Sequence, residues 1–206
     1  GNALATIEVI ERAVNLFQNH EIHAICTNPI NKEVLKKGCG FEYPGHTEYL
    51  AHLAGHKNSV MMLLCEELRV VPTTIHIALK DVSKLLTKEL LINTINTTRD
   101  ALINYFGIKK PRIAISGLNP HAGENGIFGQ EEIKIINPTI EKLRSQGFDI
   151  IGPLSADTMF HKDARNNYDV AICMYHDQAL IPIKTIDFYG GVNVTLGLPF
   201  IRTSPD

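Results

Sequence analysis

Three of the nine histidines stand in similar settings. His76 lies in Thr73-Thr74-Ile75-His76-Ile77-Ala78, His121 in Gly117-Leu118-Asn119-Pro120-His121-Ala122-Gly123-Glu124, and His176 in Met174-Tyr175-His176-Asp177-Gln178. His121 and His176 each follow an apolar run that reads as a strand, and His76 falls within or at the end of another. In open α/β sheets, ligands bind in the crevice beyond the strands' carboxyl ends. Three imidazoles meeting there could hold a divalent metal and leave one position open for substrate. Each is equally readable as a solvated or hydrogen-bonded loop residue, because separations of 45 and 55 residues do not show that the rings converge.

Other groups carry weaker signals. His52 and His56 have the i, i+4 spacing of two ligands on one helical face, but Gly55 interrupts it and no Glu follows His52, so they read as surface residues. The loop Gly123-Glu124-Asn125-Gly126-Ile127-Phe128-Gly129 could bring backbone N–H groups to an anion, or be a plain connection. It matches neither GxGxxG nor GxxxxGK[ST]. Lys184 and Arg202, with Asn193 between them, are candidates for an anionic substrate, although such charges are commonly solvated. Pro44-Gly45-His46-Thr47-Glu48 sets an imidazole and a hydroxyl at a predicted helix start, where capping is the structural alternative.

The elements that must position these groups alternate. Leu4, Ile7, Ile10, Val14 and Phe17 recur at helical spacing and predict a helix over 3–18. A short strand over 22–27 follows, then helices from about Asn31 to Lys37 and from near His46 to Gly55. Strands are expected over 59–65, 70–79, 112–118, 168–175 and 193–197, and helices over 82–106 and 130–146. This is an α/β layered fold with a mainly parallel sheet. Gly152-Pro153 marks a candidate crossing between subdomains.

With 206 residues, a formal charge of −2, 44% hydrophobic and 20% charged residues, the composition is globular and lacks the basic footprint of nucleic-acid binding. The longest apolar stretches, such as Val60 to Cys65, are far too short to span a membrane. The first residues have neither the basic nor the apolar region of a signal peptide. Four scattered cysteines without a CxxC pair point to a reducing, cytoplasmic compartment, and Cys26, Cys65 and Cys173 sit in apolar runs as small buried hydrophobes would. The missing initiator Met and the loop-like phrase Arg202-Thr203-Ser204-Pro205-Asp206 read as cut ends.

Together, Pro44 to Glu48, Glu66-Glu67-Leu68-Arg69-Val70, Gly117 to Glu124, Gly152-Pro153-Leu154-Ser155-Ala156-Asp157-Thr158, Tyr175-His176-Asp177-Gln178 and Asn193 to Thr203 resemble the 4-hydroxythreonine-4-phosphate dehydrogenase family of pyridoxal phosphate biosynthesis. The resemblance runs in family order over nearly the whole chain. It implies the middle and later part of a longer, two-subdomain enzyme, with N-terminal and C-terminal parts absent. It also implies a fold like the isocitrate and isopropylmalate dehydrogenases, which bind NAD without GxGxxG, and a homodimer with its active site at the subunit cleft. Carried over by motif, the metal ligands fall on His76, His121 and His176, and the substrate contacts on His46, Thr47, Lys184, Asn193 and Arg202.

The implied reaction is metal- and NAD-dependent oxidation of 4-phosphohydroxy-L-threonine at C3, followed by decarboxylation to 3-amino-2-oxopropyl phosphate. Asp157 and Asp177 are candidates for orienting the ligating histidines or for proton transfer. Zinc suits the histidines, while cobalt, manganese and magnesium stay open. The alternatives are the same chemistry on a related four-carbon acid phosphate (threonate or erythronate 4-phosphate), a His-metal hydrolase that needs no dinucleotide, and an inactive metal-binding or dimerisation fragment.

Overall fold

Alternating helical and extended runs produce a mixed α/β fold with a mostly parallel sheet, and a computed structural model describes it over residues 2–43, 45–55 and 59–205. In chain order its elements are α1 (Asn2–Gln18), β1 (Ala24–Cys26), α2 (Lys32–Cys39), α3 (His46–Leu53), β2 (Val60–Leu64), β3 (Arg69–Pro72), α4 (Val82–Leu85) and α5 (Lys88–Asn104). They continue with β4 (Arg112–Ser116), α6 (Asn137–Ser145), β5 (Asp149–Leu154), α7 (Lys162–Arg165), β6 (Val170–Cys173), α8 (His176–Ile186), β7 (Val192–Leu196) and β8 (Ile201–Pro205). The chain forms two compact units, one of Gly1–Ser59 with Val192–Asp206 and one of Val60–Gly191. Gly152-Pro153 lies within β5, inside the second unit.

In the first unit β8 runs parallel to β1 and antiparallel to β7. The register sets Arg202 beside Ile25 on one side and Thr195 on the other. Ile10 and Val14 of α1, Leu35 of α2 and Tyr49 and Leu50 of α3 are buried with Phe200, and Phe17 stacks on Phe200 with ring centroids 5.1 Å apart. Gly40, at φ +66°, ends α2 in the left-handed conformation that lets its N–H return to Leu35 and Lys36 carbonyls.

In the second unit the strand order is β2-β3-β6-β4-β5. β2 and β3 are antiparallel, and β3, β6, β4 and β5 are parallel. Every residue of β6 is buried, as a central parallel strand covered on both faces requires. Leu63, Val70, Ala114, Ala171, Leu180 and Ile183 share its core. Because β3, β6 and β4 are parallel neighbours, Pro72, Cys173 and Ser116 end them at one edge of the sheet.

Several elements differ from the sequence expectation. β3 stops at Pro72 instead of continuing to Leu79, because Thr74 turns its hydroxyl onto the Met174 carbonyl (2.7 Å) and the chain leaves the sheet. His76 therefore stands in a loop, not in a strand. The helix expected over 82–106 breaks at Leu86 and Thr87, both extended, where the Thr87 hydroxyl accepts the Leu90 N–H at 3.1 Å and starts α5. The 130–146 helix opens with a wide π turn, Glu132–Ile136. β5, α8 and β8 were not expected. Gly152-Pro153, read above as a candidate crossing, lies within β5, the last strand in the order, where a missing ladder donor is tolerated, and Pro182 lies within α8. The closing phrase of the chain is a strand, β8, because ladders on both sides replace the apolar run it lacks.

Cys65 and Cys173 are buried as expected, whereas Cys26 is exposed because only Ile25 of β1 faces the core. All four thiols are free. No helix among the described residues is long and apolar enough to cross a membrane. Removing the cap with Thr87→Ala is expected to lower unfolding free energy by about 1 kcal/mol, read as a lower urea midpoint at unchanged slope. An unchanged midpoint would show that the start of α5 does not depend on this hydroxyl.

Candidate active site

The second unit places the three histidines after three adjacent strands. His76 follows β3 by four residues, His176 follows β6 by three and His121 follows β4 by five. The rings of His76 and His176 face each other with centroids 5.7 Å apart and planes inclined by 44°. Two imidazoles bound at roughly 2.1 Å to one tetrahedral ion have centroids about 5 Å apart, so this pair fits a shared cation with little movement. Both line a cleft of about 260 Å³ with Thr74, Tyr175 and Asp177. Asp177, exposed beside them, lies 2.7 Å from Nδ1 of His176, which leaves Nε2 for an ion.

His121 does not join that pair within one chain. Among the described residues no three His, Cys, Asp or Glu side chains gather closely enough to hold a metal. Within one chain the structure brings His76 and His176 together, while the turn after β4 carries His121 apart from them. His121, Ala122, Gly123, Glu124 and Asn125 all have left-handed backbones, with φ from 41° to 79°. Four of them are not glycine, and each costs roughly 1–2 kcal/mol there. Strain of this kind persists only where surrounding contacts impose it, and it concentrates at functional sites. The glycine-rich loop read as an anion cradle or a connection shares this turn through Gly123, Glu124 and Asn125. His121 packs against Phe128, with ring centroids 6.1 Å apart. The Asp157 carboxyl is held below its usual range by the Ser155 hydroxyl and by the nearby His121.

A buried amide ties these segments together. The Gln178 side-chain oxygen accepts from Ser116 Oγ (2.8 Å) and from the Met174 N–H (2.7 Å), and Nε2 donates to the Gly117 carbonyl (2.8 Å). One residue of α8 thereby fixes the ends of β4 and β6, from which His121 and His176 follow. Lys184 lies two turns further along α8, half-buried, with Nζ 5.3 Å from the Phe188 ring centroid.

The first unit holds the other group. Arg202 is only 6% exposed. Its guanidinium donates to Thr27 Oγ1 (2.8 Å), Thr195 Oγ1 (3.0 Å) and, more distantly, Thr47 Oγ1 (3.5 Å), while Nε is buried without a partner. Among the described residues no carboxylate pairs with it, and burial lowers its pKa against the weaker pull of Cys26 and Glu48. Asn193, half-buried two residues before Thr195 on β7, projects from the same face. Capping does not occupy His46 or Thr47. The residue before α3 is Gly45, so no side chain caps that helix, and both ring nitrogens of His46 are buried without partners. Burial, then the Arg202 charge, pushes the His46 pKa down from 6.5 to about 4. His46 is thus neutral near pH 7 and faces a cleft of about 560 Å³ that Thr27 and Asn28 also line.

The PdxA profile, described as pyridoxal phosphate biosynthetic protein, matches residues 1–206. The chain belongs to that family. It is 60% identical over 209 residues to a 4-hydroxythreonine-4-phosphate dehydrogenase of Paracoccus denitrificans, covering 100% of this chain and 65% of the relative. A protein of the same name from Roseobacter denitrificans is 58% identical, again over all of this chain and 63% of the relative. A 4-hydroxythreonine-4-phosphate dehydrogenase crystal structure from Klebsiella pneumoniae superposes with a TM-score of 0.89 at 45% identity, over 96% of this chain and 59% of that one. The chain thus spans less than two thirds of these PdxA-family relatives.

Thr27, Thr195 and Gln178 were not among the candidates expected from the sequence. Thr27 follows β1 and Gln178 belongs to the quoted Tyr175–Gln178 phrase, so both had a positional signal. Thr195 had none. His52 is exposed against Tyr43, with ring centroids 5.1 Å apart, and His56 lies outside the described residues.

The His46 shift has a pH consequence. Below pH 6.5 the unfolded chain takes up a proton that the folded site refuses until about pH 4, so stability falls as pH falls through that window. His46→Gln is expected to flatten that part of the thermal-unfolding pH profile. An unchanged slope would mean that His46 titrates normally in the folded state.

Proposed function

We propose that the complete polypeptide is an NAD- and divalent-metal-dependent 4-hydroxythreonine-4-phosphate dehydrogenase, acting at C3 of 4-phosphohydroxy-L-threonine and releasing 3-amino-2-oxopropyl phosphate and CO2. The observation that carries the reading is Arg202. It is a buried cation held by hydroxyls, with one N–H unpartnered, on the same unit as the neutral, unpaired His46. Burying a charge without a counterion is costly, and an anionic substrate supplies the missing one. Family membership supports the rest of the reading.

In this reading Arg202 and Lys184 bind the anionic ends of the substrate, with Arg202 kept rigid by Thr27 and Thr195. Neutral His46 with Thr47 and Asn193 supplies hydrogen bonds that do not add charge. His76, His121 and His176 would hold the cation, zinc by ligand type, with cobalt, manganese and magnesium as substitutes. When bound, the cation would acidify the C3 hydroxyl and NAD would accept hydride. Asp177 orients His176, and Asp157 keeps an ionised carboxylate beside His121, where it can steady that ring or accept a proton.

The same proposal includes an isocitrate dehydrogenase-like class, a cytoplasmic location consistent with four free thiols, and a homodimer with its active site at the subunit cleft. One chain brings only His76 and His176 ring to ring, and a second copy can complete the set at such a cleft.

The test is NADH formation by the full-length protein with zinc and 4-phosphohydroxy-L-threonine. Turnover with CO2 release is expected, and His121→Ala should abolish it along with most metal uptake while leaving the protein folded. Turnover only with threonate 4-phosphate would move the substrate. Substrate consumption without NAD would replace the reading with a hydrolase. Normal activity and metal content in His121→Ala would remove that residue from the ligand set.

A further inference from the structure

Glu132 belongs to none of the groups above, yet it is 2% exposed and makes three hydrogen bonds. Its Oε1 accepts the backbone N–H groups of Leu118 and Asn119, both at 2.8 Å, and its Oε2 accepts from Asn119 Nδ2 at 2.9 Å. Those residues lead directly into the left-handed turn that carries His121. Two glycines close around the same carboxyl group. A Cβ on Gly123 would stand 2.6 Å from Oε2, and one on Gly117 would stand 3.1 Å from Oε1 and 2.7 Å from the Ala122 Cα. Both glycines are thus kept small by Glu132 or by the turn it touches, and they bracket His121 in sequence. Glu132 also begins the π turn Glu132–Ile136, an irregularity frequent at functional sites.

We infer that Glu132 is a positioning residue: its carboxyl group clamps the strained turn and thereby fixes where His121 is presented. It acts through the backbone of that turn. The Phe128 N–H bonded to the Gly123 carbonyl (3.2 Å) and the Gln130 amide bonded to the Gly126 carbonyl (3.1 Å) close the far side of the turn, whereas the Glu132 carboxyl group gathers the N–H groups at its entry, just before His121. Removing the carboxyl group leaves the Leu118 and Asn119 N–H groups without an acceptor, while Asn119 Nδ2 keeps Glu131 Oε2 at 2.9 Å, and it releases the turn toward ordinary backbone angles. The consequence for metal binding rests on the ligand reading above, whereas the clamp does not.

Two measurements on the full-length protein separate these levels. Amide hydrogen exchange over residues 117–126 reads the clamp without metal. Glu132→Ala is expected to lose protection at Leu118 and Asn119, and Glu132→Gln, which keeps one acceptor oxygen, to retain most of it. Zinc affinity, measured by chelator competition, is expected to fall at least about tenfold in Glu132→Ala and less in Glu132→Gln. Leu102→Ala in the α5 core serves as a control that lowers the unfolding midpoint without weakening zinc binding. Wild-type protection in Glu132→Ala would overturn the clamp. Lost protection with unaltered zinc affinity, or an equal loss in Leu102→Ala, would overturn its role in presenting His121. Failure of the wild-type protein to take up zinc would sink the ligand reading instead, and the exchange result would still decide the clamp.

Discussion

The parallel register of β3, β6 and β4 is the constraint from which the second unit's chemistry follows. Parallel neighbours end on a common side of the sheet, so His76 and His176, four and three positions past β3 and β6, meet ring to ring although far apart in sequence, and His121 leaves the neighbouring β4 on that same side. Gln178 converts that coarse placement into a fixed one by joining the ends of β4 and β6 through a single buried amide. Each of its bonds is short and shielded from water, and leaving any of those buried groups unpaired would cost roughly 1–3 kcal/mol. The histidines are thus held by the sheet first, by buried polar contacts second and by their own loops last.

The first unit solves a different problem. A guanidinium on the central strand of β1-β8-β7 cannot be solvated, and the neighbouring strands offer hydroxyls instead of a carboxylate. Hydroxyls orient the group without neutralising it. That combination leaves the charge uncompensated, as the proposed anionic substrate requires. His46 lies in the same unit and is kept neutral by burial and by Arg202, so in the proposed function it adds no charge to the substrate site.

Much of this was legible in the sequence and some could not have been. The amphipathic helix over 3–18 and the apolar strands around 60–64, 112–116 and 170–173 were readable, because period and burial are local properties. β5 and α8 were hidden by Pro153 and Pro182, and β8 by its polar composition; what stabilises β5 and β8 is pairing with distant strands. The candidate residues His46, Thr47, Asn193 and Arg202 were visible as types. The hydroxyl cage around Arg202 was not, because Thr27 and Thr195 meet it only through the register of three strands. His121 illustrates the limit most clearly. Its position after a strand was readable, but a run of left-handed residues is imposed by contacts such as those of Glu132, and no local pattern announces it.

In the proposed function His76, His121 and His176 serve one cation. Anomalous diffraction at the zinc edge from crystals of the full-length protein tests it most directly. The expected result is a peak within bonding distance of all three imidazoles, counting contributions from a second copy. A peak held by other residues, or none after saturation with zinc, would contradict it.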